Sequence, residues 1–150
     1  MPVSPRDPQT RKADTLAVLE TPESDCWVAS SSAAGPAHLV PLSLAWLEER
    51  AVIAVPESSV TGRNIISTGR ARVAVGPTRD VVMIDAVLDR STAVDDDAEL
   101  GDAYAAQADW DPRTASGYVF LVLRPVRIQA WRESDEIAGR TLMRDGAWVV

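Results

Sequence analysis

The chain has 150 residues and a formal net charge of -7, a length that suits one domain whose core needs no disulfide or metal staples. Hydrophobic residues make up 46% of it and charged residues 25%, which is ordinary for a globular protein and argues against global disorder. One cysteine and one histidine are too few for the usual four-ligand zinc sites. The acidic balance argues against nucleic acid or an anionic membrane as a partner, and the unpaired cysteine fits a reducing cytoplasm.

The basic residues are almost all arginines. Lys12 is the only lysine, and the other fourteen basic residues are arginines, so a bound anion must be held by arginine, hydroxyl or backbone groups. Residues 1–14 carry three prolines and no apolar run. They predict a loose tail, neither a signal peptide nor a membrane anchor, ahead of a single domain over residues 15–150.

From residue 25 onward the chain has the pattern of short β-strands. Apolar runs occupy 26–29, 38–46 and 51–55, and serines at 30–32 mark a turn after the first run. A polar Glu-Glu-Arg connection at 48–50 separates the second run from the third. The simplest arrangement of these two runs is an antiparallel hairpin.

A second set of strands follows in the C-terminal half. Runs rich in β-branched residues at 72–75 and 81–88 are separated by Gly-Pro-Thr at 76–78, which is a further hairpin signal. Residues 118–131 predict a long final strand, and Pro125 within it implies a bulge or an edge position. Strands linked mostly by short turns favour a closed or half-closed antiparallel barrel.

Two segments interrupt the strands with helical signals. Ser58 and Ser59 precede residues 60–68 and Gly69, which predicts a hydroxyl-capped helix of about two turns with a glycine stop. Residues 95–108 are rich in alanine and open with three aspartates. We interpret these aspartates as a solvated helix start rather than a metal site, because no other ligand type accompanies them.

Two shorter segments near the C-terminus are also informative. Residues 141–150 contain an Asp-Gly turn and predict a terminal hairpin. The Asp-Trp-Asp sequence at 109–111 either closes over a cleft or caps the preceding helix. Both alternatives are open at this point.

Motifs for catalysis by side chains alone are missing. The chain has no glycine-rich phosphate loop and no G-x-S-x-G elbow. His38 could act as a general base but fits a plain polar strand residue, and Cys26 beside Trp27 fits a small core residue. If the protein is an enzyme, a bound cofactor carries the reaction.

Residues 55–64 form the best candidate anion site. A strand ends there, hydroxyls cluster, and a helix begins with free N–H groups, a geometry that binds phosphate. Arg63 adds a guanidinium suited to phosphate oxygens. The alternative is an ordinary capped helix with a surface arginine.

Three segments in order carry a family resemblance. They are His-Leu-Val-Pro-Leu-Ser at 38–43, the strand-to-helix segment from 55 through 74, and Arg-Pro-Val-Arg-Ile-Gln-Ala-Trp at 124–131 with its continuation through 136–140. Together they resemble the pyridoxamine 5'-phosphate oxidase-like superfamily, the flavin-binding split barrels, over about residues 15–150. The second segment is similar to that family's S-x-K-x-x-N-L pattern, and the third to its R-P-x-x-I-E-F-W ending and its R-L-H-D-R motif.

The departures from that pattern bear on the substrate. Thr61 stands where the family often has a phosphate-binding lysine, whereas Trp131 and Arg140 match positions that contact the flavin in the oxidase. Glu136 and Ala138 replace the oxidase's substrate-contacting arginine and histidine. Because Glu136 is expected to repel a phosphate, the resemblance implies a relative that does not oxidise pyridoxamine phosphate.

The resemblance implies a mainly β protein with a few short helices, an antiparallel FMN-binding split β-barrel. It implies a homodimer with the cofactor at the subunit interface, acting as an oxidoreductase by hydride transfer through FMN to a small-molecule substrate. The cofactor contacts it implies are Pro41, Leu42, Ser43, Val55, Ser58, Ser59, Thr61, Arg63, Asn64, Trp131 and Arg140. No side chain is assigned a catalytic role.

Two alternatives to this interpretation stay open. The deazaflavin F420 could occupy the same cleft, with Arg70, Arg72 and Arg79 forming a groove for its acidic tail. The protein could also be a non-catalytic split barrel that binds a ligand or acts as a carrier, since the phosphate lysine and two substrate contacts are missing.

Overall fold

The computed structural model describes residues 4–150, which form nine antiparallel strands and three α-helices. In chain order the elements are α1 (Pro8–Glu20), β1 (Asp25–Ser30), β2 (His38–Ser43), β3 (Ala45–Leu47), β4 (Arg50–Pro56), α2 (Val60–Thr68), β5 (Arg70–Val75), β6 (Val81–Ala93), α3 (Ala98–Ala108), β7 (Tyr118–Trp131), β8 (Thr141–Arg144) and β9 (Ala147–Trp148). Short 3-10 turns occupy Pro112–Thr114 and Ser134–Glu136. No helix in this part of the chain is long and apolar enough to cross a membrane.

The strands form one sheet in the order β2-β1-β5-β6-β7-β4-β3, with β8 paired to β7 and β9 to β8. The two long strands β6 and β7, of 13 and 14 residues, pair along most of their length. The sheet curls but does not close, because β2 and β3 remain at its two ends. This arrangement confirms the predicted antiparallel split barrel.

The core fills the inside of the curled sheet. Val28, Val73, Ile84 and Leu121 project into it from neighbouring strands and are fully buried. A second cluster lies on the other face of β4 and β7, where α3 covers it with Tyr104. Among residues 4–150 no such cover lies on the outer faces of β1, β2 and β5, and alternate residues of these strands are exposed or half-buried.

The predicted hairpins are found, although in the first of them only Ala45–Leu47 of the 38–46 run pairs with β4, whereas His38–Ser43 pairs with β1. β3 and β4 turn at Glu48 and Glu49, which both have positive φ, as a type I′ connection requires. β5 and β6 turn around Gly76, whose φ is 90°. The last strands β8 and β9 form the terminal hairpin.

The bulge predicted at Pro125 is also present. The register between β6 and β7 shifts between Asp85 and Ala86, which leaves Val126 without a partner. The extra residue places Arg124 and Arg127, three apart in sequence, both in exposed positions.

Both predicted helices are found, with α2 bounded as expected. Gly69 ends α2 in the left-handed region with φ 72°. α3 begins three residues later than predicted, because Asp97 is its N-cap and accepts a hydrogen bond from the Leu100 amide at 3.0 Å. The aspartates therefore form a helix start, as interpreted.

Asp109 caps the C-terminus of α3, and Asp111 caps the following 3-10 turn, which favours capping over cleft closure for this segment.

The prediction of a loose tail over residues 1–14 is wrong for residues 8–14, which belong to α1. Asp7 caps this helix, and Arg11 and Thr15 are buried against the rest of the molecule. Residues 1–3 lie outside the described part. Hydrogen bonds from Arg6 and Arg11 to residues far away in sequence hold this helix in place. The apolar residues of the segment therefore do not by themselves predict the helix.

Candidate functional site

The start of α2 is tied closely to the end of β4. The Ser59 hydroxyl accepts a hydrogen bond from the Gly62 amide at 3.0 Å and donates one to the Pro56 carbonyl at 2.7 Å. A side chain on Gly62 would begin 2.7 Å from that carbonyl and 2.8 Å from the carbonyl of Glu57. The helix can approach the turn this closely only with glycine at position 62.

A cavity of about 460 Å³ lies beside the first two turns of α2. Within residues 4–150 the exposed Arg63 guanidinium makes no hydrogen bond or ion pair. Asn64 is 8% exposed and donates a hydrogen bond to the Ser30 hydroxyl at 3.3 Å. The lining consists of Ser32, Pro36, Ala37, His38, Val60, Arg63, Asn64 and Ser67. The cavity thus combines an unpaired cation, amide and hydroxyl donors and the only imidazole of the chain.

A larger groove of about 1000 Å³ adjoins this cavity and shares three of its lining residues, Ser32, Ala37 and Ser67. Its wall carries Arg70 and Arg72 from β5 and Asp85 from β6. Among the described residues Arg70 has no ion pair, so the groove has a net positive charge even though the whole chain is acidic.

Asp85 holds two arginines in place on the outer face of the sheet. It accepts a hydrogen bond from Arg72 at 2.6 Å and another from Arg127 at 2.7 Å. Partial burial raises the pKa of Asp85, but the two arginines outweigh it and bring the pKa below its ordinary value. The carboxylate therefore stays ionised and orders the guanidinium groups beside the groove.

Most of the other predicted cofactor contacts near α2 lie outside these two cavities. Val55 is a core residue at 2% exposure, Thr61 is 3% exposed, and the hydroxyl of Ser59 is occupied in capping. Ser58 is exposed in the turn before the helix. Arg63 and Asn64 are the two predicted residues that line the 460 Å³ cavity.

The predicted ring contacts on β2 lie further along the same edge strand. His38 at the start of β2 lines the cavity, whereas Pro41, Leu42 and Ser43 follow it on the side away from α2 and line neither cavity. Pro41 is exposed and lies opposite Trp27 of β1. The backbone continues from the cavity to these residues without interruption.

Trp131 and Arg140 form a pair at the other end of the sheet. The Arg140 guanidinium carbon lies 5.7 Å from the centre of the Trp131 ring. A single row across four strands contains Cys26, Val75, Val82 and Ala130. Trp131 follows Ala130, so the pair lies toward the Cys26 end of β1, whereas α2 lies beside its Ser30 end. One protomer does not bring Arg140 and Arg63 into one cavity.

An apolar patch covers the outer face between these two ends. Trp27 is 50% exposed and Leu39 is 60% exposed. The register places Trp27 between Pro41 and Ala74, and Leu39 opposite Ala29, which also lines the large groove. Exposed aromatic and aliphatic side chains that adjoin in this way are typical of a protein interface.

The structure also bears on the expectations for Cys26 and Arg79. Cys26 is a core residue, as predicted, and burial raises its pKa to about 12. Arg70 and Arg72 line the large groove as predicted, but Arg79 does not. Arg79 lies at the β5–β6 turn and forms an ion pair with Glu133 at 3.1 Å.

The expectation that Glu136 repels a phosphate is wrong. The side chain is 2% exposed, and its carboxylate is neutralised by Arg6 within the chain. It lines neither the cavity nor the groove. At the position where the family motif has a substrate-contacting arginine, this chain therefore has a buried glutamate that forms an ion pair with Arg6.

His38, Ser32 and Ser67 line the cavity but are not among the cofactor contacts predicted from the sequence. The serines at 30–32 signalled only a turn, and Ser67 lies on the second turn of a helix whose facing side was unknown. Their proximity to Arg63 depends on the packing of α2 over β1 and β2, which no local pattern encodes.

No family model matches the chain, and no curated protein does. Solved structures do match it. An F420 reductase is 18% identical with a TM-score of 0.59, and the match covers 75% of this chain and 93% of that one. A Listeria innocua protein described as a candidate pyridoxamine 5'-phosphate oxidase is 11% identical with a TM-score of 0.60, over 79% and 96% of the two chains. A heme binding protein from Mycobacterium smegmatis is 20% identical with a TM-score of 0.63, and the match covers 97% of this chain but only 60% of that protein.

These similarities agree with the strand order and establish the fold. The chain has the split-barrel fold of the pyridoxamine 5'-phosphate oxidase-like superfamily, as its motifs suggested. At these identities the likeness concerns the fold alone, because one fold supports several functions.

Proposed function

We propose that the protein is a flavin-dependent oxidoreductase that binds the phosphate of its cofactor beside Arg63 at the start of α2. The observation that carries the proposal is the 460 Å³ cavity in which the unpaired Arg63 guanidinium lies beside Val60 and Asn64 of α2. A cavity of that size, continuous with a larger groove, is in the range of cofactor sites.

The residues present fit a phosphate group. Val60 belongs to the first turn of α2 and lines the cavity, so its amide has no acceptor within the helix. Arg63 supplies a charge that no described carboxylate neutralises, so the absence of a lysine at position 61 does not leave the site without a cation. Asn64 adds a neutral amide donor, whereas the Ser67 hydroxyl already donates to the Asn64 carbonyl at 3.1 Å. Bound FMN would supply hydride transfer at its flavin ring.

We propose that a homodimer completes the site. The Trp131–Arg140 pair of one protomer would then meet the cavity of the other, because the two lie at opposite ends of one outer face. The apolar patch of Trp27, Leu39 and Pro41 between them would be buried by the partner. A two-fold axis makes such a contact reciprocal and yields two equal sites.

F420 is the alternative cofactor, and the larger groove supports it. Arg70 and Arg72 line that groove, so an acidic tail has two arginines to contact. The matched F420 reductase adds support, since it carries the same fold. We give FMN precedence because Trp131 and Arg140 match flavin-contacting positions. The substrate is a small molecule, and the missing arginine and histidine of the oxidase motif argue against pyridoxamine phosphate.

Titration of the purified protein with FMN and with F420 tests this proposal. Quenching of cofactor fluorescence gives the affinity for each, and inorganic phosphate as competitor shows whether the phosphate group contributes. We expect FMN to bind more tightly than F420. Tighter binding of F420 reverses the order of the two cofactors, and no binding of either contradicts the oxidoreductase proposal.

A non-catalytic ligand carrier is the second candidate function. It is favoured by His38, the only imidazole, which lines the cavity and could ligate a heme iron. A heme binding protein shares the fold. Hemin titration of the wild type and of His38→Ala distinguishes this function. A Soret shift that is lost with His38, in a protein that does not bind FMN, would favour the carrier.

A further inference from the structure

We propose that Glu136 is a positioning residue for the cofactor site, acting through an ion pair with the N-terminal segment. It fixes the loop of residues 132–140, which directly follows Trp131 and ends at Arg140. The inference rests on the proposed function, because it assumes that these two residues contact the cofactor.

The Glu136 carboxylate accepts four hydrogen bonds, two on each oxygen. Its Oε2 accepts hydrogen bonds from the backbone amide of Arg6 at 2.8 Å and from Nε of Arg6 at 3.0 Å. Its Oε1 accepts from Nη2 of Arg6 at 2.8 Å and from the Arg132 amide at 2.9 Å. The side chain thus joins the first residue of its own loop to a segment 130 residues away in sequence.

Arg11 of α1 holds the remainder of the loop by its backbone. Its Nη1 donates to the carbonyl of Gly139 at 2.9 Å and to the carbonyl of Glu136 at 3.2 Å. Arg11 is 4% exposed, and its Nη2 lies 3.9 Å from the Glu136 carboxylate. Two arginines from the N-terminal segment therefore contact both the centre and the end of the loop.

The loop ends at the residues proposed to contact the cofactor. The Arg140 carbonyl accepts a hydrogen bond from the Ala130 amide at 2.9 Å, which closes the loop at its base. Nη1 of Arg140 donates to the Ile137 carbonyl at 3.0 Å, one residue after Glu136. The orientation of Arg140 over Trp131 therefore depends on the backbone that Glu136 and Arg11 hold.

The matched test compares Glu136→Gln with Glu133→Gln. Glu133 lies in the same loop but pairs with Arg79 on the surface, where both side chains are mostly exposed, so its loss removes the same charge without releasing the loop. FMN affinity is measured by fluorescence quenching, and loop mobility by hydrogen exchange of the amides at 132–140. We expect Glu136→Gln to lower FMN affinity about tenfold and to speed exchange, whereas Glu133→Gln changes neither.

The outcomes separate this inference from the proposed function. Failure of the wild type to bind FMN removes the proposed function and this inference with it. Wild-type affinity in a folded Glu136→Gln protein with faster loop exchange overturns the inference alone. If Glu136→Gln does not fold, Arg6→Gln gives the same comparison, because it leaves Glu136 its hydrogen bond from Arg132. Unchanged FMN affinity in that variant overturns the inference as well.

Discussion

Ser59 and Gly62 together fix the first turn of α2, because the Ser59 hydroxyl accepts a hydrogen bond from the Gly62 amide at 3.0 Å. Gly62 has no side chain, so the helix can pack closely against the turn after β4. The Arg63 side chain follows directly. The position of the proposed phosphate site is therefore set by a glycine and a cap rather than by a long phosphate loop.

Gly62→Ala should lower the free energy of unfolding by about 1–3 kcal/mol, because the new methyl group would meet two backbone carbonyls. Gly101→Ala is the matched control in helix α3. There the methyl group meets the Arg113 side chain and no backbone, so a shift disturbs the contacts of Arg113 with Asp102 and Asp111, and alanine favours a helix over glycine. Urea unfolding of both variants checks this, and equal losses would contradict the packing argument.

Arg63→Ala should weaken FMN binding by about 1.5–3 kcal/mol, the contribution of a hydrogen bond to a charged group. The exposed Arg144 on β8 serves as control, since Arg144→Ala removes the same charge away from the cavity. Fluorescence titration measures both affinities. Equal affinity of the Arg63 variant and the wild type would remove Arg63 from the site.

Local patterns predicted the elements well, because each is marked by residues within a few positions of it. Ser59 and Gly69 bound α2 as expected, and Pro125 marks the bulge in β7. The helix α1 was missed because Arg6 and Arg11 hold it through partners about 120–130 residues away.

The candidate site was predicted only in part for the same reason. Arg63 was identified because the strand-to-helix segment is local. His38 and Ser67 were not, since they meet Arg63 only when α2 packs over the β1–β2 hairpin. The buried role of Glu136 likewise depends on a residue at the opposite end of the chain.

The Arg6–Glu136 pair predicts a defined pH dependence of stability. Hydrogen bonds from Arg6 lower the pKa of Glu136 from 4.5 to about 2. The folded state therefore holds fewer protons than the unfolded state, so this contribution, about 3 kcal/mol, is complete above pH 4.5 and is lost as the pH falls toward about 2.

Urea unfolding of the wild type and Glu136→Gln across this range measures the effect. The other carboxylates, such as Asp85, are common to both proteins and cancel in the comparison. The difference in unfolding free energy should be largest near neutral pH and shrink as the solution becomes acidic. A difference that stays constant with pH would show that the charge of Glu136 does not contribute.

Trp27→Glu should shift the protein from dimer to monomer, because it places a charge in the apolar patch on the outer face. Val149 is similarly exposed, at 47%, but lies near the C-terminus outside that patch, so Val149→Glu should leave the dimer intact. Sedimentation velocity at micromolar concentration distinguishes the two. A monomeric wild type would contradict the proposed assembly.

The central claim is that each cofactor site combines Arg63 of one protomer with Arg140 of the other. Mixing Arg63→Ala protein with Arg140→Ala protein, under conditions where subunits exchange, tests it most directly. Each variant alone has two damaged sites, whereas a mixed dimer has one site in which both arginines are intact. The account predicts that an equal mixture recovers wild-type FMN affinity in about one quarter of the sites. Recovery of none would contradict it, because both arginines would then act within the same chain or not at all.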